Sequence, residues 1–504
     1  MFSVTSAEPH PPAPGPFNLA AHVLARGAAL PDKMAMQIVR PTGAERWSYA
    51  RLLAAVRGAG TGLLALGLAP GDRVLLRLGN VPEFPVAFLG AIAAGLVPVP
   101  TSAQLTGPEI TAMAARIAPA LIIAGDGVAL PESPAPVLPA VDLARMGDLP
   151  PCEWHMGAPE RPAYVIFTSG TSGQPQAVVH AHRAILSRAL MHDGWEGLGE
   201  SDRILHAGAF NWTYTLGTGL LDPWTLGATA LIPGAGVTPA QLPLLLKRFD
   251  ATILAAAPGV FRQMLRAPLP ALPKLRHGLS AGESLTPDLR AAWRAATGTD
   301  LHEALGMSEC STFVSGSPAR PAPEGTTGYP QPGRCIAVLD DIGAPVPRGT
   351  AGQLAIDRRD PGLMLGYLDD PTATAARFHG DWFLTGDTVD MAEDGALRYL
   401  GRRDDQMNPG GFRVSPLEVE AALAGLPGAE DWAVAEVEIK PGTRVIACFY
   451  TGPEPVDPDV HSAFAASRLA RYRQPRLWQH VPSLPRNANG KLNRRLLASL
   501  WNPK

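Results

Sequence analysis

Apolar residues recur at helical spacing along some stretches of this chain and crowd into short β-type runs along others, and that alternation leaves few folds open. Residues 52–66 carry helical spacing, and Asp72-Arg73-Val74-Leu75-Leu76-Arg77-Leu78 then reads as a strand behind the turn at Pro70-Gly71. Further strands are expected at 120–124, 164–167, 228–232 and 251–255, spaced so that helices fit between them, which favours parallel sheets with crossover connections. Residues 84–99 are apolar but broken by Gly90, Gly95 and Pro98 and too short to span a bilayer, so they read as a buried helix leading into a strand. Gly58, Gly60 and Gly62 fall inside a helical segment rather than after a strand, which argues against a dinucleotide-binding turn. With 504 residues and 46% hydrophobic content the chain can bury large cores and should divide into more than one domain.

A net charge of −3 supplies no overall basic field, so neither nucleic acid nor an anionic lipid surface is an expected partner, and no membrane span is expected. Cys152, Cys310, Cys335 and Cys448 lie far apart, without the paired spacing of a zinc site or a disulfide framework, which fits free thiols and a cytoplasmic location. Residues 1–16 are proline-rich, without a signal-peptide pattern, and read as a flexible tail.

Chemistry enters at Thr168, Ser169, Gly170, Thr171, Ser172 and Gly173, a loop behind the apolar run 163–167. Hydroxyls and glycines there let backbone N–H groups and side chains converge on phosphate oxygens, although solvated turns use the same residues. The loop heads an ordered series: Ser280-Ala281-Gly282-Glu283, Leu305-Gly306-Met307-Ser308-Glu309, Trp382-Phe383-Leu384-Thr385-Gly386-Asp387, Gly401-Arg402-Arg403-Asp404-Asp405, Gly411-Phe412-Arg413-Val414-Ser415-Pro416, and finally Pro485-Arg486-Asn487-Ala488-Asn489-Gly490-Lys491. The series resembles that of the acyl-adenylate-forming (AMP-dependent synthetase/ligase) superfamily over nearly the whole chain. Within it the chain is most similar to the acyl-CoA synthetase branch, benzoate-CoA and medium-chain acyl-CoA ligases included.

The resemblance implies an α/β fold: a large N-terminal domain over 17–403, built of parallel-rich sheets with packed helices, and a small α+β C-terminal lid over 404–504. In the lid a helix is expected at 416–424 and strands at 431–437 and 444–450. Asp404 matches the family's hinge, and Lys491 matches the lysine that the lid carries to the α-phosphate and the carboxylate. A carboxylate and ATP are both anionic, so a mobile point charge is what the adenylating step requires. Glu309 matches the magnesium ligand, a hard oxygen donor. Ser308 offers a hydroxyl to the α-phosphate, Gly282 and Glu283 belong to the adenine segment, Asp387 can accept both ribose hydroxyls, and Arg402 can donate to ribose or phosphate. Asp387 could equally shape a turn, and Arg402 could pair with Asp404 or Asp405.

Three positions depart from the family pattern. Gln176 stands where a lysine usually reaches the outer phosphates, Leu305 where many members stack a tyrosine on adenine, and Asn408 where a lysine is frequent near the hinge. The acyl pocket is expected at Met191, Asn211, Trp212, Tyr214 and Gly306. Asn211 replaces the aspartate with which amino-acid-activating members hold an α-amino group, and Trp212 and Tyr214 fill volume that a long alkyl chain needs, unless they are simply core. The implied reaction joins a compact aromatic, alicyclic or short- to medium-chain acid to coenzyme A through an acyl-AMP, using ATP, Mg2+ and CoA. A stand-alone enzyme loading an acyl carrier protein and a nucleotide-binding protein without catalysis are the other readings. A homodimer and a lysine acetyltransferase acting on Lys491 are further partners that the resemblance admits.

Overall fold

The computed structural model describes residues 1–5, 10–168, 176–403, 405, 407, 414–440, 443–486 and 492–501. They group into two compact units, a larger one of residues 5–336 and 356–383 and a smaller one of residues 1–4, 337–355 and 384–504.

In the larger unit the main sheet has nine strands in the order Tyr329–Pro330, Ser311–Ser315, Leu301–Met307, His277–Ala281, Ile253–Ala255, Arg203–His206, Thr229–Pro233, Met34–Arg40, Gly43–Ser48. Its interior pairs parallel from Met34–Arg40 through Leu301–Met307, and both flanks turn antiparallel. A second sheet, Val97–Pro100, Arg73–Arg77, Leu121–Ala124 and Val137–Pro139, is parallel throughout. Arg73–Arg77, Val97–Pro100, Leu121–Ala124, Thr229–Pro233 and Ile253–Ala255 are among the short apolar runs expected from the sequence, and Ile253, Leu254 and Ala255 are fully buried, as strands covered on both faces must be. The exception is Pro162–Thr168. It pairs antiparallel with Gln176–Ala181, and Gly366–Tyr367 joins that pair as a third strand, so the hydroxyl-rich segment connects a hairpin rather than opening a crossover helix.

Ser48 caps the helix Tyr49–Ala65 through a hydrogen bond from Arg51 N–H to its Oγ at 3.2 Å. The helical glycines are a packing surface. A Cβ on Gly58 would lie 2.7 Å from the Gly147 carbonyl oxygen, and one on Gly60 would lie 2.5 Å from Cys152 Sγ. The apolar stretch at 84–99 becomes the helix Glu83–Ala93, buried from Phe84 to Ala93, followed by the strand Val97–Pro100. All four cysteines are free.

In the smaller unit Asp431–Lys440 and Thr443–Thr451 form an antiparallel pair with Leu477–His480 parallel beside it. Both faces of this sheet are covered. Val434, Ile446 and Cys448 join a core with Val419 of the helix Pro416–Ala422 and with Leu423, which caps its C-terminus, while Ala433, Val437, Ala447 and Phe449 pack with Leu484 and Leu497. This is the α+β arrangement expected of the C-terminal region. The compact unit reaches further back than 404, because Trp382–Met391 and Leu397–Arg402 pair antiparallel, while Asp404 lies outside the described residues. Residues 1–4, expected as part of a flexible tail, are tied down: Ser3 N–H donates to Val346 O and Val338 N–H to Ser3 O, bonds that an extended backbone of any sequence can make.

Candidate active site

Thr168 ends its strand opposite Gln176 in the hairpin, and Ser169, Gly170, Thr171, Ser172 and Gly173 lie outside the described residues, as do Lys491 and Asn408. Gln176 is not an isolated neutral group. Its Oε1 accepts from Arg116 Nη2 at 2.8 Å, and the same guanidinium faces Asp370 at 4.0 Å.

Ser308 and Glu309 lie in the turn between the antiparallel strands Leu301–Met307 and Ser311–Ser315, at one flank of the main sheet. Glu309 is buried, its Oε1 accepts from Tyr367 Oη at 2.8 Å, and its backbone carbonyl accepts from Met364 N–H. The His180 ring, stacked on Tyr164, donates from Nε2 to the Ser308 carbonyl at 2.7 Å. Complete burial, with Arg183 and Arg188 nearby, pushes His180 down to about 4, so the ring is neutral and Nε2 carries its proton.

That shift predicts an acid limb. Between the ordinary value of 6.5 and about 4 the unfolded chain binds a proton that the folded chain refuses, so stability falls as pH drops through that window. At pH 5 the loss attributable to this ring is about 2 kcal/mol. Denaturant unfolding of wild type and His180→Gln at pH 7.5 and 5 should show the variant losing that much less. An identical loss in both would remove His180 as a cause.

Of the expected pocket residues, Met191 is fully buried and Tyr214 is buried with its hydroxyl on the Leu279 carbonyl at 2.9 Å. Asn211 and Trp212 are half-buried. Trp212 meets Tyr214 edge-on and covers Gly282, where a Cβ would stand 2.7 Å from the indole, so the expected acyl and adenine segments touch each other. Gly282 needs to be glycine twice over, since its φ is +95°. Glu283 pairs with Arg262 at 3.6 Å. Gly306 passes so close to the partner strand that a Cβ would meet the Ser311 carbonyl at 2.6 Å.

Beside Ser308 lies a narrow cavity of about 20 Å³, and part of its wall comes from residues that sequence reasoning passed over. Tyr164, His180, Arg188 and Ser311 line it, with Thr213, Leu216, Gly217 and Leu221. The available signal was Arg188 itself, a lone charge inside the apolar helix Ala184–Met191.

In the smaller unit Asp387 and Arg402 lie directly opposite each other in the antiparallel pair. Arg402 Nη1 donates to Asp387 Oδ1 at 3.2 Å, and Tyr399 Oη donates to the same oxygen at 3.4 Å. The arginine thus pairs with Asp387. Burial and then the Asp387 charge push the Tyr399 phenol well above its ordinary value, which keeps it a donor.

Chemically, the larger unit offers the Glu309 carboxylate and, against Gln176, the Arg116 guanidinium. No group of three or more His, Cys, Asp or Glu suited to a metal occurs among the described residues. A single carboxylate such as Glu309 fits Mg2+ nonetheless, because this ion takes one or two protein carboxylates and completes its shell with water and phosphate oxygens.

Residues 24–368 match the family model described as AMP-binding enzyme. The chain is 31% identical to the benzoate–CoA ligase of Thauera aromatica over 90% of either chain. It is 30% identical to a mitochondrial acyl-coenzyme A synthetase of Homo sapiens, over 96% of this chain and 91% of the relative. Among solved structures it is similar to a benzoate CoA ligase from Burkholderia xenovorans, with a TM-score of 0.85, 28% identity, and 96% and 100% of the two chains covered.

Proposed function

The chain belongs to the AMP-binding enzyme family, and from that premise we propose that its substrate is a compact aromatic, alicyclic or short- to medium-chain carboxylic acid. The reaction is that of an ATP-dependent carboxylate–CoA ligase, with ATP, Mg2+ and CoA as its requirements, and a carrier protein is not the favoured acceptor. A carboxylate oxygen attacks the α-phosphorus and pyrophosphate leaves; the CoA sulfur then attacks the acyl carbon and AMP leaves.

In the proposed division of labour, Lys491 spans the carboxylate and α-phosphate, Ser308 donates to the α-phosphate, and the 168–173 connection holds the outer phosphates. Asp387 takes the ribose hydroxyls with Arg402 beside it, and Asp404 is the hinge of the C-terminal region. Glu309 holds Mg2+, which when bound screens the phosphate charge. His180, neutral and bonded to the Ser308 carbonyl, fixes the turn that presents Ser308 and Glu309. A homodimer, a cytoplasmic location and acetylation of Lys491, which would erase its charge, belong to the same proposal. No helix among the described residues is long and apolar enough to cross a membrane.

The observation that supports the compact-acid reading is the aromatic bulk of Trp212 set edge-on against Tyr214 and over Gly282, which fills volume that a long alkyl chain would need. In this reading Trp212 closes the end of the acyl site. Trp212→Gly should then admit longer acids while small ones lose contacts. At about 0.8 kcal/mol per buried methylene, two or three carbons shift preference by roughly ten- to fifty-fold. The check is kcat/KM over straight-chain acids and benzoate. An unchanged ranking, with all rates falling together, would make Trp212 core and remove it from the pocket.

A further inference from the structure

One wall of the cavity beside Ser308 is polar in a way that adenylate chemistry does not require. Arg188 is buried in the helix Ala184–Met191, and its guanidinium faces the cavity. Its Nε donates to Asp222 Oδ1 at 2.6 Å, its Nη2 reaches Asp222 Oδ2 and, at 3.3 Å, Thr218 Oγ1, and its Nη1 donates to Ser311 Oγ at 2.6 Å. One Nη1 hydrogen is left without a partner among the described residues. Because Ser311 Oγ accepts from Arg188, the serine proton points elsewhere, and the acceptor recorded for it is the weak sulfur of Met191 at 3.7 Å.

Two backbone features, far apart in sequence, are shaped around this pair. Ser311 has φ +65°, a left-handed conformation uncommon for a residue with a side chain, and it sits on the cavity wall with its hydroxyl on Arg188. Gly217 lies against the guanidinium so closely that a Cβ would stand 2.0 Å from Arg188 Cζ. Behind the wall, the π-helical turns His192–Glu196 and Gly217–Leu221 bring Glu196 and Thr218 together, with Thr218 Oγ1 donating to Glu196 Oε1 at 2.8 Å. Such turns are rare and recur at functional sites. Burial first, and then the neighbouring Asp222, hold Glu196 well above the carboxylate range, so it is a neutral acid. Burial alone would raise Asp222 as well, but Arg188 outweighs it and keeps Asp222 ionised. The guanidinium is therefore already neutralised by one carboxylate, and the wall presents donors without a net charge to fill.

We infer that Arg188 and Ser311 form a specificity wall that reads a neutral oxygen substituent on the acid, a hydroxyl in the simplest case. The inference rests on the compact-acid reading above and narrows it. A second carboxylate is disfavoured, because Asp222 already takes the charge of Arg188.

The test is acid-dependent pyrophosphate release by the full chain, with ATP, Mg2+ and CoA present. The acids are benzoate with its three monohydroxy isomers, cyclohexanecarboxylate with its hydroxylated analogues, and isophthalate as the dicarboxylic member. The expected result is a higher kcat/KM for at least one hydroxylated acid than for its parent. In Ser311→Gly that ratio falls about tenfold, as expected for one lost hydrogen bond beside a charged group. Glycine accepts φ +65° without strain, so the substitution removes the hydroxyl while leaving the backbone free to keep its path. Parents preferred throughout, both members of each pair changing equally in Ser311→Gly, or isophthalate preferred over the hydroxy acids would each overturn the inference while leaving the compact-acid reading in place. Pyrophosphate release with long-chain acids alone would overturn that reading and the inference with it.

Discussion

Lys491→Ala is expected to lower acyl-adenylate formation by ~10²–10³ while thioester formation from supplied acyl-AMP and CoA continues nearly unchanged. The asymmetry follows from charge. In the first step a carboxylate must approach a phosphate, and the negative charge at the α-phosphorus grows in the transition state, so removing a mobile ammonium costs what a preorganised charge contributes there. In the second step a thiol attacks an acyl carbon already activated by AMP, and no second anion has to be brought to the phosphate. Pyrophosphate release from acid and ATP measures the first step, and AMP release from synthetic acyl-AMP with CoA measures the second. Equal losses in both would contradict the proposed division of labour.

The second large effect is on stability. Asp222 is completely buried and holds both Arg188 Nε and Arg188 Nη2. Asp222→Ala would leave a guanidinium in the interior without its counter-charge, at a cost of about 3–5 kcal/mol. Glu196 sets a limit on the damage. Burial and then the ionised Asp222 beside it keep it neutral, and with Asp222 gone one of those causes is removed while Arg188 favours its ionisation, so it can take over part of the pairing. The double substitution Arg188→Met with Asp222→Leu should recover most of the loss, since it removes both charges instead of stranding one. Denaturant midpoints of the three variants against wild type decide the matter. A double variant as unstable as Asp222→Ala would show that packing, not the unpaired charge, carries the effect.

Two strands of the parallel interior of the main sheet, Thr229–Pro233 and Ile253–Ala255, were legible because cover on both faces forces continuous apolar runs such as Ile253-Leu254-Ala255. The hairpin at Pro162–Thr168 was not. A segment of hydroxyls and glycines behind an apolar strand reads equally well as a crossover and as a hairpin, and the choice was made by pairing with Gln176–Ala181 and with the distant Gly366–Tyr367. The motif order singled out Ser308, Glu309, Asp387 and Arg402, and each lies in or beside a strand of the structure. It left open which acid Arg402 meets, and the antiparallel register, a non-local property, put Asp387 opposite it. The polar cavity wall was the least legible part. Arg188, Glu196 and Asp222 sit in different elements around two π-helical turns, and Ser311 reaches Arg188 from a left-handed backbone that no local pattern announces.

The most direct test of the account is product stoichiometry with a compact acid, ATP, Mg2+ and CoA, resolving pyrophosphate, AMP and the CoA thioester in one reaction. The account predicts one AMP and one pyrophosphate per thioester, with acid-dependent pyrophosphate release from the wild-type chain that is lost in Lys491→Ala. ADP and phosphate as products, or a thioester formed without AMP, would contradict it.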